Sequence, residues 1–199
     1  MIEVEKKFNA DPAAIARLVR GAALLSDKSH TDIYFDTATY DFTKKSWWFR
    51  KRDGRFELKI PIGAIREQGF TQYDEIENDE LIAERLGFAR DERPLEAFFE
   101  GRGLRPFATL VTHRRKYKKD GLSIDVDEVD FGFAVVEIEA MIDHKHEVGD
   151  ALDRIMKTAI AAGLTASPDS QARGKVLEYL YRNAPEHFKA LEEAWGMPI

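Results

Sequence analysis

Hydrophobic and polar residues alternate with a period of two in several short stretches of the chain. In residues 2–8, Ile2 and Val4 fall on one face of a predicted strand, and Glu3 and Glu5 fall on the other. The same alternation predicts further strands at residues 31–37, 46–52, 55–60, 69–77, 105–118, 122–129 and 133–142. We therefore expect a protein rich in short strands, many of which have one apolar and one polar face.

Turn and helix signals separate these strands. Asp53-Gly54 and Asp120-Gly121 are typical of tight hairpin turns between neighbouring strands. Capping residues and helical periodicity predict helices at residues 13–25, 78–86, 94–99, 147–162, 171–182 and 186–195, with loops at 61–68 and 163–170. Mostly antiparallel strands with helices between some of them indicate the α+β class, and we expect a single domain over residues 1–199.

The sign of the charge on the polar face differs from one predicted strand to the next. Acidic residues dominate the polar faces of 2–8, 122–129 and 133–142, and basic residues those of 46–52 and the stretch around Arg114. Like charges also stand two residues apart, as in Glu3 with Glu5 and Arg50 with Arg52, and each such pair costs up to about 1 kcal/mol without a partner. A solvated polar face is the simplest explanation for any one strand, but it leaves these repulsions unrelieved.

A barrel with its polar faces turned inward would relieve both kinds of repulsion. A bound cation would offset the carboxylates, and a bound polyanion would offset the basic groups. About eight strands enclose an interior wide enough for side chains or one ligand. The pattern therefore predicts a closed eight-stranded antiparallel β-barrel, a tunnel with a polar interior, whose apolar outer face is covered by amphipathic helices.

The residue types on these inward faces suit a metal ion and a triphosphate. Mg²⁺ is usually held by a few carboxylates together with water and phosphate oxygens, and the candidate ligands are Glu3, Glu5, Asp125, Glu137 and Glu139. An arginine guanidinium can donate to two phosphate oxygens at once, and lysine binds phosphate as a point charge. The candidates on the strands are Lys7, Arg50, Arg52, Lys59 and Arg114, and Lys175, at the start of a terminal helix, is expected to close one mouth of the barrel. Because Lys59 has cationic neighbours, we expect its pKa to be lowered.

Composition narrows the function further. A net charge of −6 over 199 residues argues against broad binding to nucleic acid or to a membrane surface. The chain has no cysteine, no apolar run long enough to span a bilayer and no visible secretory signal, so we expect a cytoplasmic protein. The sequence has no glycine-rich strand-to-helix turn, so it does not support a Walker or Rossmann phosphate site. We expect a monomer whose partner is a small molecule.

The same residues resemble the CYTH superfamily, the triphosphate tunnel metalloenzymes. Glu3-Val4-Glu5-Lys6-Lys7 matches the ExExK signature of that family. Further matches follow in order: Tyr34-Phe35-Asp36-Thr37, Trp48-Phe49-Arg50-Lys51-Arg52, Glu57-Leu58-Lys59, Val111-Thr112-His113-Arg114, Ile124-Asp125-Val126-Asp127, Asp130-Phe131-Gly132-Phe133-Ala134-Val135, Glu137-Ile138-Glu139-Ala140 and Lys175. Within the superfamily, the chain is most similar to the thiamine triphosphatases of animals.

The resemblance implies a role for each matched residue. The fold would be a tunnel of eight antiparallel strands, in which the five carboxylates bind metal and the six basic residues bind triphosphate. Tyr34 and Lys59 match a pair proposed to activate water, and Trp48 matches a tryptophan that stacks on the thiamine ring. The implied cofactor is Mg²⁺, with Mn²⁺ as the alternative ion.

The implied activity is Mg²⁺-dependent hydrolysis of the terminal phosphoanhydride bond of thiamine triphosphate. An inorganic tripolyphosphatase needs the same tunnel without a role for Trp48. A class IV adenylyl cyclase needs a nucleotide pocket, for which the sequence gives no signal. A binding module for polyphosphate or nucleotide, without catalysis, and a purely structural barrel are the remaining alternatives.

Overall fold

A computed structural model of the chain describes residues 2–9, 12–62, 73–89, 91–164 and 172–196. Its eight strands form one antiparallel sheet in the order β1-β8-β7-β6-β2-β3-β4-β5. The strands are β1 (Ile2–Phe8), β2 (Ala23–Asp36), β3 (Trp48–Arg52), β4 (Arg55–Pro61), β5 (Tyr73–Ile76), β6 (Arg105–Lys119), β7 (Leu122–Val129) and β8 (Phe133–Ile142).

The sheet forms a nearly closed barrel. Its two edge strands, β1 and β5, contact each other, although no backbone ladder joins them within the described ranges. The predicted eight-stranded antiparallel barrel is thus confirmed, with an incomplete seam between β1 and β5.

Six helices surround the barrel in the described part of the chain. They are α1 (Pro12–Leu18), α2 (Asp79–Arg85), α3 (Leu95–Gly101), α4 (Val148–Ala161), α5 (Lys175–Asn183) and α6 (Pro185–Trp195). Short 3₁₀ turns lie at Thr43–Lys45 and Lys145–Glu147. Among the described helices, none combines the length and the hydropathy that crossing a membrane requires.

The apolar strand faces point outward and are covered by the helices. Val4 and Ile138 pack in one cluster with α1 and α4, while Phe49 and Leu58 pack in another with α2 and α3. A third cluster, which includes Leu110, packs against α5 and α6. Fully burying a side chain of this size stabilises the fold by roughly 1.5–3 kcal/mol. This packing outside the barrel leaves the polar faces to line its interior.

Both predicted hairpin turns form as the Asp-Gly signal indicates. Asp53 and Gly54 have φ values of 46° and 92°, and Asp120 and Gly121 have values of 49° and 76°. Two consecutive residues with positive φ give the backbone twist that a two-residue hairpin needs. The helix predicted to begin at Asn78 is also confirmed, since the Asn78 side chain accepts a 2.9 Å hydrogen bond from the backbone N–H of Leu81.

The first predicted helix is too long, and the strand after it is too short. α1 ends at Leu18, Gly21 follows with a φ of +74°, and residues 23–25 already belong to β2. The cause is pairing at long range, because Leu24 lies opposite Tyr117 of β6. The penultimate helix, predicted from residue 171, begins at Lys175, and the described residues before it, 172–174, are not helical.

Some predictions fall on residues outside the described ranges. These are the first four residues of the strand predicted at 69–77, the first residue of the helix predicted at 171–182, and most of the predicted loops at 61–68 and 163–170. The described part of that strand, β5, confirms the prediction from Tyr73 onward.

Candidate active site

The inward faces of the strands form a charged interior. Asp32 on β2 and both Asp125 and Asp127 on β7 have no exposed surface, and Arg50 on β3 and Glu137 on β8 are buried as well. A buried charge is costly unless it is paired and hydrogen-bonded. The interior of the barrel is therefore a network of ion pairs, which accounts for the charge segregation seen in the sequence.

Five carboxylates in this interior form two triads that share one residue. Glu3, Glu5 and Glu139 form the first triad, and Asp125, Glu137 and Glu139 form the second; within each triad, one oxygen per residue lies within 4.8 Å of the others. Strand register creates the cluster, because β8 lies between β1 and β7 and places Glu139 opposite Glu5 and Glu137 opposite Asp125. All five predicted metal ligands are thus brought together.

Basic side chains pair with part of this carboxylate cluster, since Lys7 and Arg114 form ion pairs with Glu5, Asp125 and Glu137. Burial, together with the neighbouring carboxylates, raises the pKa of Glu139 to about 8, and burial also raises the pKa of Glu3 and of Asp125. The Oδ1 atom of Asp125 is buried without a hydrogen-bond partner among the described residues. Hard carboxylate oxygens are the ligands that Mg²⁺ and Mn²⁺ prefer. The donor set, the raised pKa values and the unpaired oxygen therefore fit a divalent cation.

Two of the predicted arginines are held by buried aspartates. Arg52 donates to the two oxygens of Asp32 at 2.7 and 2.9 Å. Arg114 donates to the two oxygens of Asp127 at 2.6 Å each, and also to Glu137 at 3.0 Å. Bidentate pairs of this kind fix the plane of a guanidinium group. Both guanidinium groups are thereby oriented by carboxylates of the protein itself.

Two further basic residues pair with more exposed carboxylates on the other side of the barrel. Arg50 donates from Nε to Glu57 at 2.7 Å, and Lys59 on β4 forms an ion pair with Glu75 on β5. The side chains of Glu57 and Glu75 are more exposed than those of Asp32 and Asp127, which hold the first two arginines.

The remaining two lysines enter the tunnel from β1 and from the start of α5. Lys7 lies 2.5 Å from Glu5, and Lys175 lies 3.0 Å from Asp127 and 3.7 Å from Asp32. Burial lowers the pKa of Lys175, against the opposing effect of Asp127. Lys175 is thus the first residue of α5 and at the same time part of the buried ion network.

The pKa of Lys59 is not lowered, contrary to the prediction from its cationic neighbours. Burial and Arg50 do act to lower it, but the carboxylates of Glu5 and Glu75 outweigh them and raise the pKa above its usual value. The prediction considered the basic residues of β3 and β4 alone. Glu5 reaches Lys59 across the seam of the barrel, which no local sequence pattern shows.

Tyr34 also lies differently from the predicted tyrosine–lysine pair. Its hydroxyl is 3.5 Å from a guanidinium nitrogen of Arg50, and burial, together with Asp32, raises the pKa of Tyr34. The ring that lies beneath the Lys59 ammonium is that of Tyr73, at 5.8 Å from its centroid. Tyr34 is therefore part of the arginine network, and Tyr73 is the aromatic neighbour of Lys59.

Aromatic side chains surround the predicted ring-binding residue, Trp48. Its indole N–H donates a 3.1 Å hydrogen bond to the Tyr73 hydroxyl, and the Trp195 ring meets it in a T-shaped contact with centroids 6.4 Å apart. Trp195 is anchored in turn by a 2.8 Å hydrogen bond to the carbonyl of Lys44. Trp48 is buried, so its orientation is set by residues of β5 and α6.

Four acidic residues of the network were not predicted as site residues: Asp32, Asp127, Glu57 and Glu75. Asp127 lies on the same period-two face as Asp125, Glu57 on that of Lys59, and Asp32 on that of Tyr34, whereas the strand of Glu75 carried no predicted site residue. What the sequence lacks is the cross-strand register that pairs Asp32 with Arg52 and Asp127 with Arg114.

Comparison with known proteins gives both the family and the fold. Residues 1–170 match the CYTH domain. The thiamine-triphosphatases of Homo sapiens and Macaca fascicularis are each 30% identical over 211 aligned positions, which cover 97% of this chain and 90% of those proteins. Among solved structures, a Pyrococcus horikoshii protein has a TM-score of 0.65 at 24% identity, covering 90% of this chain and 98% of its own. A Hippeastrum protein has a TM-score of 0.57 at 19% identity, covering 91% and 95%.

The barrel, its charged interior and these relatives define a hydrolase of the triphosphatase class. The chain belongs to the CYTH family, as its sequence motifs indicate. The two structural likenesses, both below 25% identity, show the fold alone. The substrate and the metal are not fixed by membership of the family.

Proposed function

We propose that the chain cleaves the terminal phosphoanhydride bond of thiamine triphosphate in a Mg²⁺-dependent hydrolysis that yields thiamine diphosphate and phosphate. The observation that carries this proposal is the presence of two carboxylate triads and six basic side chains in one tunnel. A triphosphate with its divalent cation has charges that match both sets. The named activity of the animal relatives favours this particular triphosphate.

In this proposal the metal ligands are the five clustered carboxylates, Glu3, Glu5, Asp125, Glu137 and Glu139. A divalent cation held there supplies Lewis acidity toward the phosphate oxygens. The raised pKa of Glu139 and the unpaired Asp125 oxygen support this assignment, since both disfavour an unmetallated, fully ionised cluster. Mn²⁺, a hard cation with similar ligand preferences, is the alternative ion.

The basic residues would bind the triphosphate chain. Arg50, Arg52 and Arg114 offer paired donors to non-bridging phosphate oxygens, while Lys7 and Lys175 add point charges. In a loose transition state, negative charge is spread over the equatorial oxygens of the transferring group, and fixed guanidinium groups stabilise it. Arginines already oriented by buried carboxylates need little rearrangement for this role.

Lys59 and Tyr34 are the proposed catalytic residues. Because Glu5 and Glu75 keep Lys59 protonated, we assign it the role of a hydrogen-bond donor that orients the terminal phosphoryl group or its attacking water. Positioning and electrostatic stabilisation account for most of the catalysis of phosphoryl transfer, so no strong protein base is required. The Tyr34 hydroxyl, which lies beside Arg50, would form a further hydrogen bond with the attacking water.

Trp48 is the residue that would select an organic substrate. The thiazolium of thiamine is a flat cation, and a tryptophan face attracts such a group by roughly 0.5–2 kcal/mol. The hydrogen bond to Tyr73 and the contact with Trp195 hold the indole in one orientation. A rigid aromatic surface of this kind loses little entropy when it binds a ring.

The test is phosphate release from thiamine triphosphate, inorganic tripolyphosphate and ATP at equal concentrations, with Mg²⁺ and with EDTA. Preference for thiamine triphosphate that is lost in Trp48→Ala would support the proposal. Preference for tripolyphosphate would keep the site but remove the role of Trp48. No Mg²⁺-dependent release from any of the three would contradict the catalytic assignment of Lys59 and Tyr34.

Inorganic tripolyphosphate is the second candidate substrate. The carboxylate triads and the basic residues contact only a phosphate chain in this proposal, and the burial of Trp48 against Tyr73 and Trp195 also fits a packing role. Turnover of tripolyphosphate that is unaffected by Trp48→Ala would favour this candidate.

We also propose that the protein acts as a cytoplasmic monomer, with residues 1–199 forming one tunnel domain and with no nucleic-acid or membrane partner. The net charge of −6 and the lack of cysteine support these expectations. Light scattering would measure the mass in solution, and a dimer would contradict the monomer.

A further inference from the structure

We propose that Asp32 is a positioning residue of the tunnel, which orients the basic side chains around it and limits how tightly they hold a polyphosphate. This inference rests on the proposed triphosphate site. Asp32 lies on β2, and its side chain has no exposed surface. A carboxylate in a cavity built for polyanions would oppose binding, so its position requires an explanation.

Four basic or titratable groups converge on this one carboxylate. Arg52 donates to both of its oxygens at 2.7 and 2.9 Å, Arg50 lies at 3.8 Å, Lys175 at 3.7 Å, and Nε2 of His30 at 3.5 Å. Burial raises the pKa of Asp32, but His30 and Arg52 overcome it and hold the pKa well below its usual range. Asp32 is therefore ionised in the folded protein.

These neighbours come from three separate elements of the fold. His30 belongs to β2, Arg50 and Arg52 to β3, and Lys175 to the first turn of α5. Without a shared anion, the cations would repel one another and turn away from the centre of the tunnel. Asp32 gathers them around one point, and its bidentate pair with Arg52 fixes a guanidinium plane.

Asp32 differs in mobility from the carboxylates that hold other cations. Glu57 and Glu75 have side chains 19% and 38% exposed, so each has room to move aside when a polyanion binds. Asp32, at 0%, is enclosed by protein and stays beside the cations. It would therefore offset part of their charge in the liganded tunnel and favour release of the product.

The experiment compares Asp32→Asn with the wild-type protein in two measurements. Calorimetry gives the Kd for pyrophosphate, and steady-state kinetics with Mg²⁺ and tripolyphosphate gives kcat and KM. We expect the variant to bind pyrophosphate about tenfold more tightly, because one opposing charge is gone, and to turn over about tenfold more slowly, because the cations lose their orientation. Weaker binding of pyrophosphate, or a kcat within about twofold of wild type, would overturn the proposal.

Two further variants separate charge from geometry. Asp32→Glu keeps the charge but displaces the carboxylate, so kcat should fall without tighter binding; tighter binding here would also overturn the proposal. Asp27→Asn makes the same substitution on β2 in an exposed pair with His113, and it should leave the Kd for pyrophosphate and kcat unchanged.

If the wild-type protein releases no phosphate from any triphosphate, the proposed function fails, whereas the pyrophosphate measurement still tests Asp32. Should Asp32→Asn not fold, Asp32→Glu decides the inference.

Discussion

Asp125 and Glu139 each offer a carboxylate oxygen within 4.8 Å of the other inside the barrel, and Arg114 forms an ion pair with Asp125. Lys116 is the neighbour they share, at 3.5 Å from Asp125 and 3.7 Å from Glu139, and it is partly exposed. Burial, together with Asp125 and the other neighbouring carboxylates, raises the pKa of Glu139 from 4.5 to about 8, and Lys116 offsets only part of this effect.

This shift predicts how stability depends on pH without metal. Between pH 4.5 and about 8 the unfolded chain ionises Glu139 while the folded protein does not, so the free energy of unfolding falls as the pH rises through this window. A cation at the cluster offsets that loss. We expect Mg²⁺ to raise Tm more near pH 8 than near pH 5. At a hundred times its Kd, Mg²⁺ would add up to about 2.7 kcal/mol to the free energy of unfolding.

Thermal unfolding with Mg²⁺ and with EDTA at both pH values would measure this effect. Glu139→Gln is the informative variant, because it removes the charge that Mg²⁺ is expected to offset. Its stability should depend less on pH and respond less to Mg²⁺. An equal Mg²⁺ effect at both pH values in the wild type would count against a metal site at this cluster.

Lys59→Ala should lower kcat more than it raises KM. The ammonium is proposed to act on the reacting phosphoryl group, and loss of one such donor costs about 10²–10³ in kcat in other enzymes. Lys51→Ala is the matched control, since Lys51 lies on the adjacent strand but points outward to Glu96. A loss in kcat/KM with kcat unchanged would show that Lys59 serves binding alone.

The strands and turns that could be predicted are those with strong local signals. β7 and β8 begin and end at the predicted residues, and Asp120-Gly121 makes the predicted turn. The first half of β2 was missed because its apolar residues Leu24 and Leu25 stay exposed. That half is a strand because it pairs with β6, far away in sequence.

The site follows the same division between local and distant information. Period-two alternation indicated which carboxylates and cations face inward, including all five that cluster around Glu139. It did not indicate which charges meet across strands. The pKa of Lys59 was therefore predicted in the wrong direction, since Glu5 and Glu75 belong to other strands.

Phe49→Ala should destabilise the protein without altering the charged interior. Phe49 is buried on the outer face of β3, where it stacks with Phe56 at a centroid distance of 5.4 Å and meets Phe99 in a T-shaped contact at 4.8 Å. Truncation of a core phenylalanine costs about 3–5 kcal/mol. Chemical denaturation would measure the loss, and a change below about 1 kcal/mol would contradict a close-packed contact between β3 and α3.

Tyr73→Phe should weaken the choice of substrate while leaving the phosphate site intact. The change removes the hydroxyl that accepts the hydrogen bond from Trp48 but keeps the ring beneath Lys59. A lost hydrogen bond of this kind is worth about 0.5–1.5 kcal/mol, so the ratio of kcat/KM for thiamine triphosphate to that for tripolyphosphate should fall roughly 2- to 10-fold. Tyr181→Phe, on the exposed face of α5, is the control. An unchanged ratio in Tyr73→Phe would mean that Trp195 and the surrounding packing set the orientation of Trp48. An equal fall in both kcat/KM values would instead mean that Tyr73 acts with Lys59 on the phosphate chain that the two substrates share.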